Sequence, residues 1–479
     1  MASTLVLLPR RGPAASDDSP VHDTSTPAAA VADTPPTRPR LIVRPLVHLL
    51  PIVLAGYALF DRGFAWIHLP GLPLFAGELM IGLALIIIAG ATKTVRPAFK
   101  SRIPSALLLA FLLWGLLRTV PFAATYHVDA IRDAALWYYA VFGIVVAGLV
   151  VTMPHLPKLW AGSFGRLLPW LLLWSFPAIQ LDQRRGGPYV PDSPIVSWFS
   201  HKSGNIAVIA AMSLAFLWLV PLEGMRRRTR MLLTATASLL VVTTGTQSRS
   251  GLIAGGVTVG VALLMTRHRR QMIAAMLAPI VLLVALAWAV DLKVPAHPRP
   301  VSVTQLAKNL VSLTGGGSSE LSDTAEWRDT LWTSLLKETR ESNKLTTGWG
   351  FGRNLADQMG FAGQRPESPL RSPHNSHLDV LARMGTIGLA IWIALWIAWF
   401  TSMIRARRRL HSYDQRFTHG LMGFTIAGVV AILVNAYFDP TLESPQVALW
   451  LWSLFGLGLG LVVRERVRRE QAADGSRPA

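Results

Sequence analysis

The sequence predicts an all-α membrane protein with about 12 transmembrane helices and one large extracytoplasmic loop that contains short helices. Hydrophobic residues make up 51% of the 479 residues and charged residues only 15%, whereas a soluble domain usually carries about 25% charge. Apolar stretches of helix length follow one another along the chain, and one long polar stretch, residues 291–384, interrupts them. Helices are expected because backbone polar groups in lipid must be satisfied within their own segment.

The elements follow from the order of polar and apolar segments. Residues 1–40 are rich in Pro, Ala, Ser and Thr without periodicity, which predicts a disordered cytoplasmic tail. Nine transmembrane helices are predicted within residues 41–290 and three within 385–463, and residues 464–479 form a basic cytoplasmic tail. The apolar stretches are 46–60, 72–90, 104–120, 134–151, 167–179, 206–220, 231–244, 251–266, 272–290, 385–404, 417–436 and 447–463. Two of them, 167–179 and 231–244, are short for a span of about 20 residues.

Lys and Arg are distributed unevenly between the two sides of the predicted membrane domain. With the N-terminus in the cytoplasm, the basic clusters at 226–230, 405–409 and 464–469 all fall on the cytoplasmic side, as the positive-inside rule requires. Both termini are therefore predicted to be cytoplasmic, and residues 291–384 to lie outside as the catalytic loop. This bias accounts for most of the formal net charge of +19, so nucleic-acid binding is not indicated.

Arginines on the predicted outer side are exceptions to this rule and are candidates for function. Arg249 lies in a very short connection between two apolar stretches, where a charge is costly. It either extends to lipid phosphate or binds substrate, and we favour the second interpretation because a planar guanidinium fits phosphate oxygens. Arg184 and Arg185 lie on the same side. Arg62 and Arg132 have acidic neighbours and are predicted to be interfacial anchors.

The polar stretch 291–384 supplies a second group of candidates. Trp327, Leu331 and Leu335 recur at four-residue spacing after a capping sequence, which predicts an amphipathic helix that carries Arg328. The segment 348–352, with sequence GWGFG, predicts a turn or a close approach of two backbones.

A histidine lies where this stretch returns to apolar sequence. Ser372 is predicted to be a helix N-cap and Pro373 the first helical residue, which puts His374 in the first turn. The positive end of the helix dipole disfavours imidazolium, so His374 is expected to be neutral near pH 7. From this chemistry, His374 is either a general base or a residue that only hydrogen-bonds the loop.

Other site chemistries fit the sequence poorly. His374 and His377 are spaced to share a metal, but the HEXXH pattern and cysteine ligands are absent, so neither a metal nor a cofactor is predicted. The absence of Gly-x-Ser-x-Gly argues against a serine hydrolase. Asp379 is predicted to face water or to pair with Arg383 four residues along the helix.

Three stretches in a fixed order resemble the O-antigen ligase and polymerase superfamily of membrane glycosyltransferases. They are TQSRSG at 246–251, Arg328 followed by GWG at 348–350, and His374-Asn375 followed by Leu378, Leu381 and Gly385. Arg184-Arg185-Gly186-Gly187 followed by Asn205 resembles a further family stretch, Arg-x-x-Gly...Asn. There the separation is long and Gly204 replaces the usual Pro, which leaves open whether Arg184 or Arg185 aligns.

The resemblance implies transfer of a glycan from a polyprenyl (undecaprenyl) diphosphate carrier to a lipid, glycan or protein acceptor, on the outer face of the cytoplasmic (inner) membrane. It implies catalytic roles for His374 and Arg249, and substrate binding by Arg184, Arg185, Arg328, Asn375 and Asn205. Fixed guanidiniums can hold the leaving diphosphate without a metal, and direct displacement inverts the anomeric carbon. A ligase, a polysaccharide polymerase and a protein O-oligosaccharyltransferase would share these residues. From a different class, a multi-pass transporter remains an alternative.

Overall fold

The computed structural model describes residues 41–69, 71, 74–182, 188–190, 196–294, 300–312, 319–361, 371–410, 412 and 415–475. The predicted tail at 1–40, the last residues of the basic tail, and Arg184 and Arg185 lie outside the described residues. Within the described ranges the only regular elements are helices, with isolated β-bridges and no strand, so the predicted all-α class is confirmed.

Eighteen α-helices are described in chain order. The first nine are α1 (Arg44–Ala65), α2 (Ala76–Gly90), α3 (Thr92–Val95), α4 (Arg102–Tyr126), α5 (Val128–Asp133), α6 (Ala135–Tyr138), α7 (Val141–Thr152), α8 (Leu156–Asp182) and α9 (Ser203–Leu219). The second nine are α10 (Arg227–Gln247), α11 (Arg249–Met265), α12 (Arg269–Ala289), α13 (Val303–Ser312), α14 (Ser319–Glu341), α15 (Leu355–Gln358), α16 (Ser376–Arg408), α17 (Arg416–Ala436) and α18 (Pro445–Gly475). Two 3-10 helices, Arg96–Lys100 and Thr441–Glu443, lie between them.

Fewer helices than predicted meet the length and apolarity of a membrane span. Six described helices do so, namely α1, α4, α12, α16, α17 and α18, and the number rises to eight if two bent pairs each count as one span. The bent pairs are Ala76–Gly90 with Thr92–Lys100, and Val128–Tyr138 with Val141–Thr152. Each predicted apolar stretch overlaps a described helix, but α9 and α11 have only 17 residues each. The count of about 12 spans is therefore not confirmed.

Aromatic side chains join α16 to α18 in the core. Trp396 and Trp452 stack with ring centroids 5.8 Å apart, and Trp399 stacks on Phe455 at 5.7 Å. The indole N–H of Trp399 also donates to the Phe455 carbonyl at 3.0 Å. These contacts hold α16 against α18, the most buried helix among the candidate spans. The first residue of α16 lies two positions after His374.

The helix α16 begins earlier than the apolar stretch that predicted it. Its N-cap is Asn375, whose side-chain oxygen accepts the backbone N–H groups of His377 and Leu378. The predicted N-cap, Ser372, is therefore wrong. Asn is a preferred capping residue, and here it lies directly before the first helical turn. His374 consequently precedes the helix and has a positive φ of 52°.

Gly385 breaks α16 where the segment after α14 inserts beside it. Gly385 has φ 70° and ψ −173°, and a Cβ there would collide with the Thr346 carbonyl. The N–H groups of Trp349 and Gly350 donate to the carbonyls of Ala382 and Arg383, at 2.7 and 3.0 Å. Gly348 has φ +75° and lies against the Arg383 carbonyl, which confirms the predicted close approach.

Candidate functional site

Four helix ends and one loop helix meet at one end of the bundle. Lys202, directly before α9, pairs with Asp439, three residues after α17, at 2.8 Å. The Ser376 hydroxyl at the start of α16 donates to the Asp439 carbonyl at 3.2 Å. The start of α11 packs on Gly204 in the first turn of α9. Residues from distant parts of the chain therefore share one location.

His374 lies at the centre of this group, between α14 and Asp439. Its Nδ1 is 4.0 Å from Asp439 Oδ1, and its ring faces the Trp327 ring at 6.1 Å between centroids. The Trp332 indole N–H donates to the Pro373 carbonyl at 2.6 Å, which fixes the residue before His374. Two tryptophans of α14 thus hold the histidine in place.

The imidazole of His374 is neutral at pH 7 because it is partly buried. Burial lowers the pKa of His374 to about 4; Asp439 opposes this shift, and the nearby positive charges of Lys202 and Arg328 add to it. The neutral form agrees with the expectation from the sequence, although burial and not the helix dipole is the main cause. A neutral imidazole can accept a proton.

Arg328 directs a positive charge towards the same place. It lies on α14, where Leu331 and Leu335 are both buried, as predicted for the amphipathic helix. Burial lowers the pKa of Arg328, while the Asp439 carboxylate raises it. Its Nε is buried and has no hydrogen-bond partner among the described residues.

Arg249 is the first residue of α11, at the same end of the bundle. Ser248 caps this helix by accepting the Gly251 N–H at 3.2 Å, and its hydroxyl is 2.8 Å from that of Ser250. Both hydroxyls face Gly204, two residues after Lys202. The described contacts thus link Arg249 to the His374 group through the start of α9.

Asn205 is held by a buried carboxylate of α1. Its Nδ2 donates to both oxygens of Asp61, at 3.1 and 3.3 Å, and the Lys202 backbone N–H donates to the same carboxylate at 2.7 Å. The sequence indicates Asp61 only as the acidic neighbour of Arg62. In the structure its side chain instead holds the start of α9 in place. It is 2% exposed. A carboxylate at the end of an apolar stretch was the signal that could have found it.

His377 has both ring nitrogens in structural hydrogen bonds. Its Nε2 lies 3.0 Å from the Leu433 carbonyl, and its Nδ1 accepts the Trp392 indole N–H at 3.1 Å. These bonds fix the tautomer with the proton on Nε2. Among the described residues, no three His, Asp or Glu side chains are grouped as metal ligands would be.

A second charged cluster lies beside the site, around Arg383. Its Nε donates to Asp379 at 3.1 Å and its Nη1 to Asp133 at 3.1 Å, so the predicted Asp379–Arg383 pair is confirmed and is buried. Arg371 also pairs with Asp133, at 3.2 Å. Arg132 contacts the Asp133 carboxylate at 3.4 Å, in keeping with its predicted acidic neighbour.

An apolar cavity opens along α1 on the N-terminal side of Asp61. Its volume is about 460 Å³, and Val47 and Leu54 of α1, Phe164 of α8 and Trp450 of α18 contribute to its lining. A smaller cavity of about 20 Å³, bordered by Asp61, Asn205 and also Trp450, lies between it and the start of α9. The larger cavity therefore approaches the site from the apolar part of the bundle.

Residues 234–393 match the family model described as O-Antigen ligase. The match confirms the resemblance to the O-antigen ligase superfamily, and it runs from α10 into α16, so it includes Arg249, Arg328 and His374. No curated protein matches the chain. Together with the apolar helices, the match indicates a membrane protein and a glycosyltransferase of the O-antigen ligase or polymerase type.

Proposed function

Because the chain resembles the O-antigen ligase superfamily, we propose that it is an inverting, metal-independent glycosyltransferase. It moves a glycan from a polyprenyl diphosphate carrier to an acceptor on the outer face of the bacterial inner membrane. The observation that carries this proposal is the position of a neutral, partly buried His374 between Asp439 and Arg328, at the helix ends that also carry Arg249.

His374 acts as the general base in this reaction. An acceptor hydroxyl attacks the anomeric carbon of the donor, the bond from that carbon to the diphosphate oxygen breaks, and the hydroxyl proton passes to His374. Nδ1 is the ring nitrogen on the Asp439 side, so Nε2 is the atom assigned to accept the proton. The Asp439 carboxylate stabilises the imidazolium that results.

The arginines stabilise the departing diphosphate. Arg249, the first residue of α11, supplies one guanidinium, and Arg184 or Arg185 supplies a second from the sequence before α9. Preorganised positive groups in a site of low dielectric can stabilise the developing charge without a metal. Arg328 lies next to His374 and holds the glycan or the diphosphate on the side opposite these other arginines.

The apolar cavity supports a lipid-linked donor. Polyprenyl chains are apolar, and a cavity of about 460 Å³ along α1 offers them a path beside the bundle. A donor whose diphosphate lies at the start of α9 would extend its chain in that direction.

The membrane topology is proposed together with this function. Both termini are cytoplasmic, residues 41–290 and 385–463 form the transmembrane part, and residues 291–384 lie outside with α13, α14 and α15. Two short helices, α9 and α11, complete the bundle around the site and account for part of the difference between six to eight spans and about 12.

Envelope glycans of a deletion strain test this function. Mass spectrometry of these glycans and of lipid-linked intermediates should show a missing transferred glycan and an accumulated polyprenyl diphosphate glycan. Complementation with wild type should restore both, and complementation with His374→Ala should not. The acceptor that loses its glycan separates a ligase from a polymerase or an oligosaccharyltransferase. Unchanged glycans and carrier lipids in the deletion strain would contradict the proposal.

A further inference from the structure

Arg62 is an exposed arginine in the last turn of α1. The sequence predicts it to be an interfacial anchor because its neighbour Asp61 is acidic. In the structure the Asp61 carboxylate instead accepts hydrogen bonds from the Asn205 side chain and from the backbone N–H of Lys202. Within the described part of the chain, the guanidinium of Arg62 makes no hydrogen bond or ion pair. It is therefore available to a ligand.

The backbone around Arg62 is fixed to the segment before α9. Asp61 binds this segment through its carboxylate, and the N–H of Arg62 donates to the Ser200 carbonyl at 3.1 Å. Gly63 packs so closely on the Trp198 carbonyl that a Cβ there would collide with it. At Asp61 the helix is broken, with φ 42° and ψ −112°, values that are costly for any residue other than Gly. An arginine that only reaches lipid phosphate needs no such backbone, because its long side chain can extend to the interface from many positions.

This fixed segment places Arg62 beside His374. Lys202, two residues after Ser200, pairs with Asp439 Oδ1 at 2.8 Å, and the same oxygen is 4.0 Å from His374 Nδ1. Burial has the largest effect on the pKa of His374, and three positive charges lower it further, those of Lys202, Arg328 and Arg62. The side chains of His374 and Lys202 are 32% and 27% exposed, so a ligand can reach this place. The charge around the imidazole is mainly positive and attracts an anion.

The apolar cavity along α1 leads to the same place. Its volume is about 460 Å³, and its α1 lining runs from Val47 to Ala55. The smaller cavity towards α9 is bordered by Tyr57 and Asp61, and Arg62 is the next residue along α1. A ligand with an apolar chain along α1 would therefore bring its polar end to Arg62. This arrangement favours a lipid-linked anion over a soluble one.

We propose that Arg62 binds the diphosphate of the lipid-linked donor, from the α1 side of the site. This inference rests on the proposed function and adds a residue outside the matched segment 234–393. A planar guanidinium can donate two parallel hydrogen bonds to phosphate oxygens. A phospholipid headgroup presents the same kind of oxygens, but the fixed backbone of residues 61–63 and the cavity along α1 favour the donor.

Binding of farnesyl diphosphate, a short polyprenyl diphosphate, to the purified full-length protein in phospholipid-free detergent tests this inference. Arg62→Gln removes the charge, and the affinity measured by titration calorimetry should fall by about tenfold or more, because a charged hydrogen-bond donor is lost. Arg62→Lys should lose less, since an ammonium keeps the charge without the two parallel bonds. Neither variant should change the melting temperature, because the side chain is exposed.

Two controls separate a diphosphate contact from a general effect of charge. Arg132→Gln removes another arginine that was predicted to be an interfacial anchor, and which pairs with Asp129 and Asp133 at 3.2 and 3.4 Å. This variant should leave the affinity for farnesyl diphosphate unchanged. Farnesol, which has the same chain without the diphosphate, should show no difference between wild type and Arg62→Gln. Equal losses in Arg62→Gln and Arg132→Gln, or a loss that extends to farnesol, would contradict the role of Arg62.

The outcomes distinguish this inference from the proposed function. If wild type binds farnesyl diphosphate, Arg249→Ala weakens binding and Arg62→Gln does not, the role of Arg62 is wrong and the proposed function stands. If wild type does not bind farnesyl diphosphate, both are wrong. A loss in Arg62→Gln that appears in phospholipid liposomes and not in detergent would assign Arg62 to lipid headgroups and overturn the inference. A loss of about tenfold or more in detergent, at an unchanged melting temperature, supports it.

Discussion

The environment of His374 combines two opposing influences on one imidazole. Burial keeps the ring uncharged at pH 7, and the Asp439 carboxylate, with its Oδ1 4.0 Å from Nδ1, favours the charged form. A base needs both properties: it must be free of a proton before the reaction, and its imidazolium must be stabilised after the proton arrives. Trp332 keeps this geometry by bonding the Pro373 carbonyl.

Asp439→Asn should slow transfer and shift its dependence on pH. In wild type, transfer should be lost as the pH falls through about 4, where His374 becomes protonated. The substitution removes the carboxylate that raises the pKa of His374, so this midpoint should move to lower pH. The rate at pH 7 should fall at least about tenfold, because the imidazolium loses its partner. The measurement is kcat/KM across the acidic range, and a midpoint that stays in place or rises would contradict the assignment of Asp439.

Arg249→Lys should lose most of the activity although it keeps the charge. A guanidinium can make two parallel hydrogen bonds to phosphate oxygens, and an ammonium cannot. Transfer should therefore fall by about 10- to 100-fold in Arg249→Lys and further in Arg249→Ala, with equal amounts of each protein in the membrane. Unchanged turnover in both variants would assign Arg249 to membrane topology and not to catalysis.

The helix α16 shows how the start of an element can differ from its apolar pattern. The apolar stretch begins at Gly385, but α16 begins at Ser376, because Asn375 caps it and Arg383 is neutralised by Asp379 and Asp133. The break at Gly385 admits the segment 345–350, which bonds to the exposed backbone of the helix. Hydropathy reports the membrane part of such a helix and not its polar first turns.

Gly385→Ala should destabilise the fold by about 1–3 kcal/mol or more. The backbone at Gly385 has a conformation that is costly for any other residue, and a Cβ would also collide with the Thr346 carbonyl. Gly162→Ala in α8, where no atom lies within 4 Å of the added Cβ, should instead stabilise by about 0.5–1 kcal/mol. Thermal unfolding in detergent measures both. Equal melting temperatures for the two variants would show that the break in α16 is not required.

At the scale of elements, the sequence predicted the kind of element better than the number of spans and the ends of helices. The all-α class, the helix that carries Arg328 and the close approach at Gly348 were predicted correctly. The number of spans and the cap of α16 were not. Length and apolarity identify a helix, but whether a helix of 17 residues, such as α9 or α11, crosses a membrane depends on its neighbours.

The site exists only at the scale of the whole molecule. Lys202 and Asp439 are 237 residues apart in sequence, and Asp61 and Asn205 are 144 apart. Residue types and short motifs identified His374, Arg249, Arg328 and Asn205 as candidates. They could not identify Lys202 and Asp439, because no local pattern marks the partner of a residue in a distant helix.

Labelling of single cysteines tests the proposed topology of the molecule. The chain has no cysteine, so each substitution adds one reporter. Asn343→Cys, at an exposed position after α14, should react with a membrane-impermeant thiol reagent in intact cells. Arg228→Cys, at an exposed position in α10, should react only after the membrane is opened. The reverse pattern would place the site in the cytoplasm.

Transfer by the purified protein in liposomes is the most direct test of the account. The protein is given a polyprenyl diphosphate-linked glycan and an acceptor in the presence of a metal chelator. Wild type should transfer the glycan with inversion at the anomeric carbon. His374→Ala should be slower by about 10²- to 10⁴-fold with donor binding nearly unchanged, as loss of a general base predicts.

His377→Ala is the matched control in the same measurement. His377 lies three residues away and its ring bonds Trp392 and the Leu433 carbonyl, so its loss should lower the melting temperature and leave the rate per folded molecule near that of wild type. The account predicts that only His374→Ala loses the chemical step. Full activity in His374→Ala, or an equal loss in both variants at equal folded protein, would contradict it.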